Sequence, residues 1–357
     1  MIIHKLKNLL SGSKQQLKKL FRKSDNGCGR IAIIGGGSWA TALAKVMLES
    51  KGEIGWYMRR ADRIEEIKRT GHNAAYLSGV HFDVNKIKFT TDINEIVRDY
   101  DTLIFSIPSP YFKSLLSEVM EDMRGKFVVT ATKGIVPEDN LVISDYFHYQ
   151  YAIPREQIVC LIGPSHAEEV AMNRLTYLTI GCEDIERAKL LASAIKPDYV
   201  QVRVSTDVQG IEYASVLKNI YAIGAGLCHG LQYGDNFHAV YMANASCEMA
   251  DVLNLLSPSQ ERNITESVYL GDLLVTGYSD FSRNRIFGTI LGRGYSIKAA
   301  QTEMEMVAEG YYGAKCIHEL LEEYNTYEFP IINAVYAVLY ENASPAEEIK
   351  KLTTVFR

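Results

Sequence analysis

The sequence predicts an α/β protein: a doubly wound, mostly parallel sheet domain followed by an all-helical C-terminal domain. Three observations carry that expectation. Residues 31 to about 205 alternate short apolar runs with helical patterns, a glycine cluster joins the first run to the first helix, and beyond "VSTD" the chain turns long, apolar and alanine-rich. At 357 residues the chain is long enough for two cores. The expected organisation is a basic N-terminal extension over 1–29, a sheet domain over 30–206 and a helical domain over 207–357.

Eight apolar runs read as strands: "RIAIIG", "EIGWYM", "KIKFT", "DTLIFSIP", "KFVVTAT", "IVCLIG", "TYLTIG" and "VQVRVS". Helix-like segments such as "SWATALAKVMLES" and "ADRIEEIKRT" lie between several of them, the alternation of a parallel sheet with helices on both faces. The later stretches "VQGIEYASVLKNIYAIGAGLCHGL", "FHAVYMANASCEMADVLNLL" and "YYGAKCIHELLEEYN" are helical in period. No internal repeat stands out.

Hydrophobic residues make up 47% and charged residues 23% of the chain, as in ordinary soluble globular proteins. A formal net charge of −5 gives no global electrostatic argument for nucleic acid, and no such partner is expected. The six cysteines (Cys28, Cys160, Cys182, Cys228, Cys247 and Cys316) stand singly, without metal-ligand spacing, so reduced thiols and no metal site are expected. No apolar run suits a signal peptide or a membrane span, and the expected location is the cytoplasm. The first 30 residues carry eight basic residues against one acid, Asp25, with apolar residues near helical spacing. Such a segment is either a helix for an anionic membrane surface or an untethered extension, and the second reading is preferred.

"RIAIIGGGSWATALAKVML" has the strand–turn–helix context of a Rossmann-type dinucleotide site. Gly35 permits the sharp turn, and Gly37 lets the backbone approach a pyrophosphate at the helix start. Ala40 stands where a third glycine is common, and it is small enough for helix–strand packing. An NAD site usually has Asp or Glu near the end of the second strand. Here that strand ends in Arg59 and Arg60, whose planar forks suit a 2′-phosphate. NADP(H) is therefore the preferred cofactor, with NAD(H) admitted and Arg59 favoured over Arg60. The alternative is a pair of solvated arginines opening the next helix.

Further polar residues follow buried strands, where ligands of α/β sheets bind. Lys133 in "TATKGI" is either a solvent-edge residue or an anion ligand. Gly163 and Ser165 in "GPSHAEE" offer close backbone approach and a hydroxyl at a helix start. In "YASVLKNIYAIGAG", Lys218 lies on a face lined by Ala214, Ala222 and Ala225. A lysine buried there would lose proton affinity and suit acid–base work near neutral pH, whereas one snorkelling to solvent would not. "GDLLVTGYSDFSRNRIFG" gathers Asp272, Ser282, Arg283 and Asn284, and Ser-Arg-Asn is a good phosphate set.

Eight motifs in order ("GGGSWATALA", "SIPS", "ATKGI", "GPSHAEEVA", "VLKNIYAIGAG", "GDLLVT", "SRNRIFG" and "VAEGYY") resemble bacterial NAD(P)-dependent glycerol-3-phosphate dehydrogenase across residues 30 to 345. The resemblance implies hydride transfer between NAD(P)H and dihydroxyacetone phosphate, giving sn-glycerol 3-phosphate, the backbone of phospholipids. It implies that Lys218 is the proton acceptor in oxidation and the donor in reduction, and that Lys133 touches cofactor and substrate. Gly163, Ser165, Asp272, Ser282, Arg283 and Asn284 would bind substrate, with Asp272 counted as catalytic and Arg283 also reaching the cofactor. Ser38, Trp39, Arg59, Ala167, Val307 and Glu309 would line the nucleotide. A homodimer is the expected assembly. Lys133 beside Lys218 would further depress its pKa.

Ala40, "GYSD" after "GDLLVT", and His166 in place of an aromatic residue depart from the family pattern. None of them removes a proposed catalytic residue, so they bear on substrate fine-tuning rather than on activity. A β-hydroxyacid dehydrogenase or ketopantoate reductase would share the sheet domain and a catalytic lysine but not the "SRN" set. A nucleotide sensor without turnover would not need Lys133, Lys218, Asp272 and Arg283 together.

Overall fold

The computed structural model describes residues 27–304, 308–324 and 328–356. The N-terminal segment read above as a basic extension lies, up to residue 26, outside the described residues, as does Val307. The first part of the chain contains β1 (Ile31–Ile34), α1 (Ser38–Lys51), β2 (Ile54–Tyr57), α2 (Ala61–Thr70), β3 (Ile87–Thr90), α3 (Ile93–Asp99), β4 (Thr102–Phe105), α4 (Phe112–Leu116) and β5 (Phe127–Thr130). A short hairpin follows, β6 (Ile135–Val136) and β7 (Leu141–Val142), then α5 (Ile143–Tyr151), β8 (Ile158–Ile162), α6 (Ala167–Ala171), β9 (Thr176–Gly181), α7 (Ile185–Ala194) and β10 (Val200–Ser205).

The eight long strands are the eight apolar runs of the sequence, joined in the order β10-β9-β8-β5-β4-β1-β2-β3. Pairing is parallel throughout except between β8 and β9. Residues alternate across the pleat: Ile31 and Ile33 of β1 pack with α1, whereas Ala32 and Ile34 pack with α3 and α4. Both faces are thus covered by helices, which is why the central strands β1, β4, β5 and β8 are buried at every position and almost wholly apolar.

The second part opens with α8 (Val208–Gly230) and α9 (Asp235–Leu256). A π-helical turn, Ser267–Gly271, leads into α10 (Asp272–Tyr278). Then come α11 (Arg283–Gly292), α12 (Ile297–Glu303), α13 (Glu309–Glu322), α14 (Pro330–Tyr340) and α15 (Pro345–Val355). Helix α8 is buried without a break from Gly210 to Cys228, so it is the axis around which the other helices pack. Its closest neighbour is α11, and glycine makes that approach feasible. A Cβ on Gly226 would lie 2.1 Å from the Arg285 carbonyl oxygen, and one on Gly288 would lie 2.0 Å from that of Ile223. Among the described residues no helix is long and apolar enough to cross a membrane.

Candidate active site

Strand order reverses beside β1, between β4 and β2, and the C-terminal ends of β1, β4, β5 and β8 border a crevice there. Helices α8, α10 and α11 close it from the other side. The cavity so formed measures about 200 Å³.

The glycine turn after β1 forms its first wall. Gly35 adopts φ +133°, and a Cβ on it would sit 2.2 Å from the Ser106 carbonyl oxygen. Gly37 caps α1 without a side-chain hydrogen bond, and a Cβ there would meet nothing within 4 Å. The first-turn N–H groups of α1 therefore face an open cradle suited to a pyrophosphate. Asn73 braces the turn, its Nδ2 donating to the Gly36 carbonyl at 3.2 Å and to Thr41 Oγ1 at 2.8 Å. Ala40 is fully buried in α1. The Trp39 indole Nε1 is buried and without a protein acceptor, a second feature that fits a bound ligand.

Lys133 leaves the end of β5 and crosses to the loop after β8. Its ammonium donates to the Gly163 carbonyl at 2.6 Å, reaches Ser165 Oγ at 3.5 Å and meets Asp272 Oδ2 at 3.1 Å. The other Asp272 oxygen, Oδ1, accepts from Lys218 at 2.7 Å. Lys218 also donates to Thr276 Oγ1 at 2.8 Å, and that hydroxyl donates to the Asp272 carbonyl at 2.6 Å. One carboxylate, 1% exposed, is thus shared between two ammonium groups.

Burial dominates the proton affinity of Lys218 and pushes it down to about 7, with Lys133 adding to the fall and Asp272 opposing it. Burial would raise the Asp272 carboxyl, but the two lysines outweigh it and hold Asp272 below the usual carboxylate range. His166 lines the same cavity, and burial, followed by Lys218 and Lys133, lowers it to about 4, leaving a neutral imidazole.

Ser282 N-caps α11, its hydroxyl accepting from the Arg285 N–H, so Arg283 and Asn284 stand on the first turn beside the cavity. Arg283 spans to α1, its Nη2 donating to Ser38 Oγ at 3.1 Å. Asn284 belongs to a relay: its Nδ2 donates to Asn219 Oδ1 at 2.9 Å, and its Oδ1 accepts from the Gly310 N–H at 2.9 Å. Asn219 in turn donates to the Lys133 carbonyl at 2.8 Å. Glu309 opens α13 and accepts from the Ser109 N–H at 2.8 Å and its hydroxyl at 2.6 Å. Burial raises that carboxyl to about 7, against the Ser109 donors.

Of the residues singled out from sequence, Gly37, Ser38, Trp39, Lys133, Ser165, Ala167, Lys218, Asp272, Ser282, Arg283, Asn284 and Glu309 line this cavity. Gly35 and Gly163 stand behind it, in the turn and under the Lys133 ammonium. Arg59 and Arg60 do not line it. Both are exposed beyond the end of β2, and Arg60 is forked onto Asp62. The structure adds Asn219, Thr276 and Ser109, which sequence reasoning left without roles. Thr276 had a readable signal, four residues beyond Asp272 on the same helix face. The asparagine relay had none.

The N-terminal and C-terminal models of NAD-dependent glycerol-3-phosphate dehydrogenase match residues 30–188 and 207–350. The chain belongs to this family. A glycerol-3-phosphate dehydrogenase [NAD(P)+] of Streptococcus sanguinis is 35% identical over 90% of this chain and 95% of its own length. The crystal structure of glycerol-3-phosphate dehydrogenase from Coxiella burnetii superposes with a TM-score of 0.83 at 27% identity, over 91% of this chain and 98% of the other. A ketopantoate reductase from Ralstonia eutropha, 14% identical with a TM-score of 0.56 over 89% of this chain and 99% of its own, shares the fold alone. As a glycerol-3-phosphate dehydrogenase the chain is an oxidoreductase of the NAD(P) class, with the sheet-plus-helices architecture expected from its sequence.

Proposed function

We propose that the cavity interconverts dihydroxyacetone phosphate and sn-glycerol 3-phosphate with NAD(P)H, and that Lys218 moves the proton. The observation that carries this is the buried Lys218–Asp272–Lys133 arrangement facing a polar crevice beside a glycine turn. When bound, the nicotinamide supplies or accepts the hydride pair. The rest is done by side chains.

Lys218, with a proton affinity near neutrality, gives a proton to the carbonyl oxygen in reduction and takes it from the hydroxyl in oxidation. Asp272 holds both lysines in place and keeps either from being an uncompensated buried charge. Lys133 and Ser165 stand where they can polarise substrate oxygens, next to the Gly163 carbonyl. Ser282, Arg283 and Asn284 supply donors for the phosphate, Arg283 as a charged fork. The first turn of α1, with Gly37, Ser38 and Trp39, takes the pyrophosphate side, near Ala167 and Glu309. Arg59 is our candidate for a 2′-phosphate contact, because Arg60 is already engaged by Asp62. NADPH is therefore the preferred partner, and the product feeds phospholipid assembly. Six unpaired cysteines, five of them buried, support a reducing, cytoplasmic setting.

The test follows NADPH and NADH oxidation side by side with dihydroxyacetone phosphate. Substrate-dependent oxidation with the larger kcat/KM for NADPH is expected. No oxidation with either cofactor would overturn the activity, and a larger kcat/KM for NADH would overturn the preference.

A further inference from the structure

Asp272 reaches the cavity from an unusual piece of backbone. The π-helical turn Ser267–Gly271 runs directly into α10, and the Asp272 N–H donates back to the Ser267 carbonyl. A π turn takes one residue more per turn than an α-helix, is rare, and persists where its surroundings hold it. Were this turn to relax to α geometry, side-chain directions across it would rotate by about 100° per residue gained. The carboxylate that must sit on Lys218 would turn with them.

What holds the turn is a cluster outside the catalytic cavity. Tyr269, at the centre of the π segment and 3% exposed, donates its hydroxyl to Asp207 Oδ2 at 2.6 Å. Asp207 is the N-cap of α8, its side chain accepting from the Gly210 N–H. Arg262 forks onto the same carboxylate, Nε at 2.6 Å and Nη2 at 2.9 Å, and also donates to the Leu253 and Ser257 carbonyls. The first turn of α8 is trimmed to admit this fork: a Cβ on Gly210 would lie 2.2 Å from Arg262 Nη2 and 2.3 Å from Asp207 Oδ2. Burial would push the Asp207 carboxyl up, but its Arg262 and Tyr269 donors hold it below the usual range.

One carboxylate therefore anchors two backbones. Helix α8 carries Lys218 about 16 Å further along its axis, and the π turn carries Asp272 as the next residue. The two meet again at the 2.7 Å Lys218–Asp272 contact. We propose that Tyr269, Asp207 and Arg262 are positioning residues for the acid–base pair: they fix the π turn against the start of α8 and so set how closely Asp272 holds Lys218. None of the three lines the catalytic cavity. This inference rests on Lys218 as the acid–base group, as proposed above.

The charged and titratable groups around the Lys218 ammonium are Asp272, Lys133 and His166. Of these, Asp272 supports the charged form, so loosening Asp272 lowers the proton affinity of Lys218. The test is the titration of Lys218 by ¹³Cε NMR in the unliganded, full-length protein, which needs no turnover. In Tyr269→Phe, which removes only the hydroxyl, the titration moves to lower pH by about half a unit or more, and kcat falls about tenfold through misplacement. Arg262→Lys keeps the charge, loses the fork and shifts the titration the same way. It reads the network if Tyr269→Phe does not accumulate. Tyr340→Phe is the control: it deletes a partly buried tyrosine donor, to the Tyr311 carbonyl at 2.6 Å, on a helix other than the π segment. A titration in Tyr269→Phe and Arg262→Lys that coincides with the parent, or an equal shift in Tyr340→Phe, overturns the proposal. Absence of turnover in the parent protein would instead overturn the proposed activity and leave the titration readable.

Discussion

Asp272 gives one oxygen to Lys218 and the other to Lys133, so removing one lysine leaves the carboxylate still paired with the other. Lys218→Met should accordingly fold and bind NADPH as the parent does, while turnover falls by about 10²–10⁴-fold. Fluorescence titration of NADPH alongside steady-state rates checks this, and turnover within a few-fold of the parent would refute the acid–base role. With Lys218 titrating at about 7, oxidation should gain as pH rises through that value, because the base must be neutral. Reduction should gain as pH falls through it, and opposite trends would exclude Lys218 from the proton step. Arg283→Lys replaces a fork with a point charge and should raise KM for the phosphorylated substrate about tenfold. An unchanged KM would remove Arg283 from the phosphate site. At this scale Lys218 was readable because a lysine interrupts an apolar helical run. The Asn219–Asn284–Gly310 relay was not, because its links join residues 65 and 26 positions apart.

Helices α8 and α11 approach until backbone meets backbone, and α11 carries Ser282, Arg283 and Asn284 at its start. Gly288→Ala would place a methyl against the Ile223 carbonyl, where nothing flexible can yield. It should cost roughly 1–3 kcal/mol and draw the α11 N-terminus away from the cavity. Denaturant unfolding together with substrate KM checks both effects, and a fully stable variant with parental KM would show that the contact tolerates a shift. The eight strands were legible as elements because each is a short run rich in β-branched and apolar residues, continuous in β1 and β8 and alternating in β10. The antiparallel sense of β9 was not, since an apolar run reads the same in either direction. The two-residue hairpin strands β6 and β7 are too short to show a period. The π turn before Asp272 also left no trace, being fixed by Tyr269 reaching a residue 62 positions away.

Across the whole molecule, buried carboxylates tie distant segments together. Glu212 of α8 accepts from the Ser144 N–H at the start of α5, and burial, against the Ser144 donors, raises it to about 8. A carboxyl raised on folding holds its proton in the native state, so its stabilising contribution is complete below the unfolded value near 4.5 and is lost as pH climbs to about 8. Glu212→Gln, which cannot ionise, should therefore gain in Tm relative to the parent between pH 5 and pH 9. Parallel melting curves at the two pH values would argue against an ionising Glu212. The class of fold was legible at this scale because composition and period change together near residue 207. What that change does not reveal is how the halves are joined. The largest apolar cluster includes Ile135, Val142, Cys160 and Ile162 from the sheet half together with the buried face of α8. The helical half thus shares its core with the sheet half, which holds two further clusters of its own. Severed near residue 206, the sheet fragment would expose the patch that α8 covers, and the helical fragment would lack one side of its axis. The intact chain should then melt calorimetrically in one transition, its two halves failing together.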